Sequence, residues 1–145
     1  MDTKPKVVID TNVLVSATFQ KVSPILQTIY QALKSQRFIL ITSPEMIEEV
    51  VEVINRDYII KLSHTNKEDR RLFIEVLLDI GIFTSGKVPL QKISRDAKDD
   101  KFLACAYEAK ADYLVTGDKD LLVLKQYKRT KIIKPGDFVE ILNKS

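Results

Sequence analysis

The sequence predicts an α/β fold in which a parallel sheet carries helices on both faces. Three observations lead there. Short apolar, β-branched runs alternate with segments patterned as helices along the whole chain. No repeat, low-complexity stretch or Pro/Gly-rich linker interrupts them, so residues 1–145 read as one domain. A hydrophobic content of 45% supplies one compact core.

Val7-Val8-Ile9 is the first strand, a buried run that ends at Asp10. Ser23-Pro24 opens a helix whose Ile25, Leu26, Ile29, Tyr30 and Leu33 have the 3/4 spacing of a core-facing stripe. Phe38 to Ile41 is a second strand, and Ser43-Pro44 starts a second helix that runs to about Ile54, with proline at the first helical position. Residues 57–80 read as helix in two pieces, broken near Ser63 to Asn66, with Leu72, Val76 and Ile80 on one face. Ile82-Phe83 is a short strand, and residues 84–95 form a polar loop with Gly86 and Pro89. A helix from about Ala97 to Lys110 leads to the strand Tyr113-Leu114-Val115, which ends at Thr116-Gly117-Asp118. A short helix, the strand Lys131-Ile132-Ile133 and a last helix opened by Pro135-Gly136 complete the chain.

Composition narrows the functional classes. No apolar run approaches the roughly 20 residues of a bilayer span. The first residues run straight into a strand, so no signal peptide is expected. A single cysteine, Cys105, makes no internal disulfide, and the expected compartment is cytoplasmic. Cys105 lies on an apolar helix, where a structural thiol is favoured over a nucleophile. The net charge of +3 is uninformative, but its distribution is uneven. Residues 45–52 hold four glutamates and no base, whereas Lys119 to Lys134 hold six bases against Asp120. That suits a protein that carries a cation and holds phosphates; two solvated faces explain it equally well.

In an open parallel sheet, sites form outside the carboxyl ends of the strands, where strand order reverses. Asp10 and Asp118 each follow a strand at that edge. Either is also explained as the N-cap of the helix that follows it. The second helix carries four glutamates. At about 100° per residue, Ile47, Val50, Val51 and Ile54 form its buried face, widened by Met46 and Val53. Glu49 lies at the border of that face, while Glu45, Glu48 and Glu52 point away, so Glu49 is the candidate. With Asp96 as a helix N-cap, Asp99 falls at N3, where the helix dipole explains an acid. Asp100 is then left without a local structural task, although the helical wheel does not separate it from Asp99. Carboxylates converging from separate elements repel one another without a cation, and hard oxygen donors suit Mg²⁺ or Mn²⁺.

Four features occur in order: Asp10-Thr11-Asn12 after a hydrophobic strand, Ser43 with Glu49 six residues on, Asp100 before Leu103-Ala104, and Val115-Thr116-Gly117-Asp118-Lys119-Asp120-Leu121-Leu122. In order and spacing over nearly the whole chain, this resembles the PIN domain, and within it the toxin components of toxin–antitoxin systems. The resemblance implies a Rossmann-like three-layer α/β/α fold and Mg²⁺- or Mn²⁺-dependent cleavage of RNA. It implies a catalytic, metal-holding set of Asp10, Glu49, Asp100 and Asp118, supported by Thr11, Asn12 and Thr116, with Asp120 as an extra acid. It also implies an antitoxin protein that blocks the site. Dimerisation is common in the family, and residues 57–80 have apolar side chains to spare for it.

Metal-assisted hydrolysis needs no histidine base, which agrees with a chain whose one histidine, His64, lies outside every motif. Lys101, Lys119 and the Lys125, Lys128 and Arg129 group are candidates for contacts with the substrate backbone, a solvated basic surface being the plainer alternative. Because such a site acts on the phosphate, DNA stays open beside RNA. Two rivals remain. A phosphatase with Asp10 as nucleophile would use a second Asp two residues on, where this chain has Asn12. A non-catalytic PIN-like module that binds RNA or protein would be expected to lack one of the acids. No Gly-x-Gly-x-x-Gly or phosphate loop is present, which argues against the usual dinucleotide and NTP sites.

Overall fold

The computed structural model describes residues 4–19, 21–86 and 99–144. Six strands form one sheet: β1 (Lys6–Ile9), β2 (Ile39–Thr42), β3 (Ile82–Phe83), β4 (Tyr113–Val115), β5 (Gln126–Tyr127) and β6 (Thr130–Ile133). Eight helices are described: α1 (Thr11–Ser16), α2 (Pro24–Lys34), α3 (Pro44–Ile54), α4 (Asp57–Ser63), α5 (Lys67–Ile80), α6 (Asp100–Ala109), α7 (Lys119–Leu122) and α8 (Pro135–Lys144).

The strand order is β3-β2-β1-β4-β6-β5, and the central place of β1 is why Val7-Val8-Ile9, after the exposed Lys6, is an apolar run. Val8 pairs with Ile41 on one side and Leu114 on the other, both parallel. Alternation then divides the strand between two cores. Val7 and Ile9, with Leu40 and Val115, join side chains of α1, α2, α3, α5 and α8. Val8, with Ile41, Leu114 and Ile132, joins Phe102, Leu103, Cys105 and Ala106 of α6 and Leu121 of α7. Helices therefore cover both faces, and the fold is the expected three-layer α/β/α sandwich.

Several helices start where the sequence signals it. Ser23 and Ser43 cap α2 and α3 ahead of a proline, and Asn66 forms a reciprocal capping box with Asp69 at α5. Three expectations need correction. The sheet is parallel except at one edge, where Gln126–Tyr127 folds back antiparallel on β6; a two-residue strand leaves no periodic signal. In α5 the buried residues are Phe73 and Leu77, and Leu72 is 47% exposed. Phe73 takes the inward position because its ring packs on Tyr30, with centroids 5.8 Å apart. In α3 Val51 is exposed, so the buried face (Met46, Ile47, Val50, Val53 and Ile54) is centred on Val50. Met46 reaches the core on the other side of the sheet, and this roll of the helix carries Glu49 inward. The start expected for α6 near Ala97, its proposed cap Asp96 and most of the loop at 84–95 lie outside the described residues.

Candidate active site

Strand order reverses between β1, whose neighbour on one side is β2, and β4, on the other. The segments leaving β1 and β4 part company at this point and leave a crevice at the carboxyl edge. Asp10, the residue after β1, has its backbone N–H on the Val115 carbonyl, which fixes it against β4. Its Oδ1 accepts from the Val13 N–H at 2.8 Å, so it does cap α1. Its Oδ2 accepts from the hydroxyl of Thr116. Thr116, fully buried, accepts in turn from the Asp118 N–H at 3.0 Å. One hydroxyl thus ties the ends of both strands together. Asp118 Oδ1 accepts from the Asp120 N–H at 2.9 Å and caps α7. For both aspartates, capping and a place in the crevice are compatible, because each uses one named oxygen on the helix.

Burial at 5% exposure pushes the Asp10 carboxyl above its ordinary range, and the Asp118 charge adds to the effect. The bonds from Thr116, Val13 and Gly117 pull the other way without cancelling it. The protein's own groups in this pocket therefore disfavour the negative charge of Asp10.

Glu49 reaches the same crevice from α3. The Thr11 hydroxyl donates to its Oε1. The Lys101 ammonium lies 2.8 Å from its Oε2, with the lysine side chain 12% exposed. The resulting cleft, of about 220 Å³, is lined by Asp10, Thr11, Asn12, Glu49, Asp99 and Asp118 with Arg56, Lys101, Val53 and Phe102. A second cleft of about 580 Å³ shares Asp10, Asn12 and Asp118 and continues along Val13, Ile25, Leu26 and Pro135.

Most of the sequence candidates are thus brought together: Asp10, Glu49, Asp118, Thr11, Asn12 and Lys101 line the acidic cleft, and Thr116 supports it from beneath. Asp100 is not on that wall; Asp99 is, at 8% exposure. The described helix begins at Asp100, which leaves Asp99 at its cap position with no side-chain cap bond. Its carboxylate joins Asp118 and Asp120, with one oxygen from each within 4.8 Å of the others. Lys119 is exposed at the start of α7 and lines neither cleft. Arg56 was not singled out from the sequence. It lies beyond the end of α3, as the extended residue that opens α4, so no helical spacing in the sequence signals it. His64 ends α4 in a left-handed conformation with φ 56°, a helix-boundary role away from the acidic cleft.

The wall of this cleft is rich in carboxylate oxygens and offers neither thiol nor imidazole among the described residues. Together with the raised Asp10 carboxyl, this donor set fits a hard divalent cation. Comparison with known proteins agrees with the geometry. The chain is 30% identical, over 154 aligned positions covering 97% of this chain and 94% of the relative, to an uncharacterized protein of Methanocaldococcus jannaschii. A family model described as the PIN domain matches residues 6–120, a span that includes all four elements of the acidic cleft, and this chain therefore belongs to the PIN-domain family.

Proposed function

We propose that this protein is a Mg²⁺- or Mn²⁺-dependent endoribonuclease that hydrolyses RNA phosphodiester bonds at the carboxylate cleft. The observation that carries the reading is the convergence of Asp10, Glu49, Asp99 and Asp118 at the sheet's switch point in a member of a nuclease-type family. Asp10, Glu49, Asp99, Asp118 and Asp120 are the residues to hold the metal. Bound there, the ion supplies Lewis acidity toward a phosphate oxygen and lowers the pKa of water.

The chain's own residues do the rest. Thr116 and the Val13 N–H fix both oxygens of Asp10, so the carboxylate is held before any ligand arrives. Lys101 and Arg56, ion-paired with Glu49 and Glu52 respectively, place basic groups on an otherwise acidic wall, where the substrate's phosphate must enter. The neighbouring cleft, continuous through Asp10, Asn12 and Asp118, gives the strand room beyond the scissile bond. Lys119 and the basic residues that follow it extend the contact along the backbone. Asp100, one residue from the wall, acts through the start of α6 in this scheme.

The deciding experiment is cleavage of single-stranded RNA with Mn²⁺ or Mg²⁺, against EDTA and Asp10→Asn. Metal-dependent cleavage that the substitution abolishes is expected. A folded protein that binds RNA tightly without metal and never cleaves it would favour the binding-module reading. A parallel assay on single-stranded DNA sets the sugar preference. The toxin role and an antitoxin partner belong to the same proposal, supported by the family resemblance. Growth arrest on expression, relieved by Asp10→Asn, is the expected outcome. Tyr58, Leu62, Leu72 and Leu78 are exposed on α4 and α5 and support the proposal of a homodimer through these two helices.

A further inference from the structure

Lys101 is the lysine that lines the cleft among the described residues, with its side chain 12% exposed. Lysines are rarely buried unless paired, since an ammonium taken from water must recover its hydration from fixed partners. Here the Nζ sits 2.8 Å from Glu49 Oε2 and 4.9 Å from the centre of the Phe102 ring. The other Glu49 oxygen accepts from Thr11. Each oxygen of this carboxylate thus has a partner within the protein, and the ammonium on Oε2 competes with a cation for it.

We propose that Lys101 is a built-in counter-ion to Glu49 that competes with a divalent cation for its carboxylate, so that Lys101 sets metal affinity through Glu49. The inference rests on the reading of the cleft as a metal centre. Two properties of the pair make exchange feasible. The ammonium is a compact charge on a flexible stem, so it can leave Oε2 without moving α6. Glu49 keeps its Thr11 bond during the exchange, so the carboxylate stays aimed at the cleft while one oxygen changes partner. The released ammonium still lines the cleft, where an incoming phosphate is its natural next partner. Lys101 is in this account a positioning residue.

The test is calorimetric Mn²⁺ binding to the full chain, without substrate, for the wild type and for Lys101→Met, Lys101→Arg, Glu49→Gln and the Lys101→Met/Glu49→Gln double variant. Removing the competitor is expected to tighten Mn²⁺ binding by about tenfold, the worth of one charge-assisted hydrogen bond. Arginine, which grips a carboxylate with two parallel N–H groups, is expected to weaken it. Glu49→Gln weakens binding, and in that background Lys101→Met has no further effect. Unchanged or weaker binding in Lys101→Met overturns the proposal. So does an equal tightening with and without Glu49, since Lys101 would then act on the whole cluster as a distant charge. Should Lys101→Met fail to fold, the direction of the arginine variant decides. A wild type that binds no Mn²⁺ would refute the metal-centre reading itself, a different result from metal binding indifferent to Lys101.

Discussion

Thr116→Val replaces a fully buried hydroxyl by a methyl of nearly the same shape and tests whether one side chain joins the two strand ends. The hydroxyl makes two bonds. It donates to Asp10 Oδ2, a charge-assisted bond when Asp10 is ionised, and accepts from the Asp118 N–H at 3.0 Å. The first is worth about 1.5–3 kcal/mol and the second about 1 kcal/mol, so the loss at neutral pH is about 2.5–4 kcal/mol. For a domain of this size that corresponds to a fall in Tm of roughly 6–12 °C. Urea unfolding followed by far-ultraviolet circular dichroism suits a chain without tryptophan. Thr116→Ser is the control; it keeps both bonds, removes one methyl and should cost about 1 kcal/mol. Mn²⁺ affinity should fall in the valine variant and survive in the serine variant. A Thr116→Val protein within about 0.5 kcal/mol of wild type, with an unchanged denaturant slope, would refute the reasoning.

Two further predictions concern ionisation. Without metal, the folded state binds the Asp10 proton more tightly than the unfolded chain does. Stability should therefore fall as pH rises from the ordinary 3.8 through the higher folded value, then level off. Asp10→Asn keeps a competent cap and removes this loss, so thermal melts in EDTA should show the variant gaining on wild type across that window. A gap that moves in wild type's favour would contradict the assignment. Burial pushes the Cys105 thiol up to about 12, and the residue is 3% exposed. At neutral pH a disulfide reagent should modify folded protein about 100-fold more slowly than a free thiol, and at the ordinary rate in denaturant; rapid modification of folded protein would show that α6 opens.

The order of elements was legible because it is written in local periods. The two-stage helix at 57–80, the Ser-Pro starts at 23–24 and 43–44, and the buried run at 7–9 each follow from spacing and capping, which depend on neighbouring residues alone. The strand-end acids were legible for the same reason. Which face a helix buries was harder. Leu72 and Val51 had positions on an apolar stripe as good as those of Phe73 and Val53, and the choice was made by what lies opposite: the Tyr30 ring for α5, the far core that takes Met46 for α3. The antiparallel Gln126–Tyr127 edge was invisible, since its pairing is made by β6 and not by its own pattern.

The sequence by itself determined the layer architecture and the identity of the strand-end acids, because hydrophobic period and helix-start chemistry are properties of consecutive residues. Only the tertiary structure shows that Asp99, and not Asp100, lines the described wall of the cleft. Adjacent residues at a helix start share the same local chemistry, and what distinguishes them is which one faces Asp118 across the crevice. It alone joined Thr116 to Asp10, 106 residues away, and Lys101 to Glu49. No local rule reaches across such separations. They are closed by the parallel register of β1 and β4 and by the roll of α3, and both are set by packing the whole sheet.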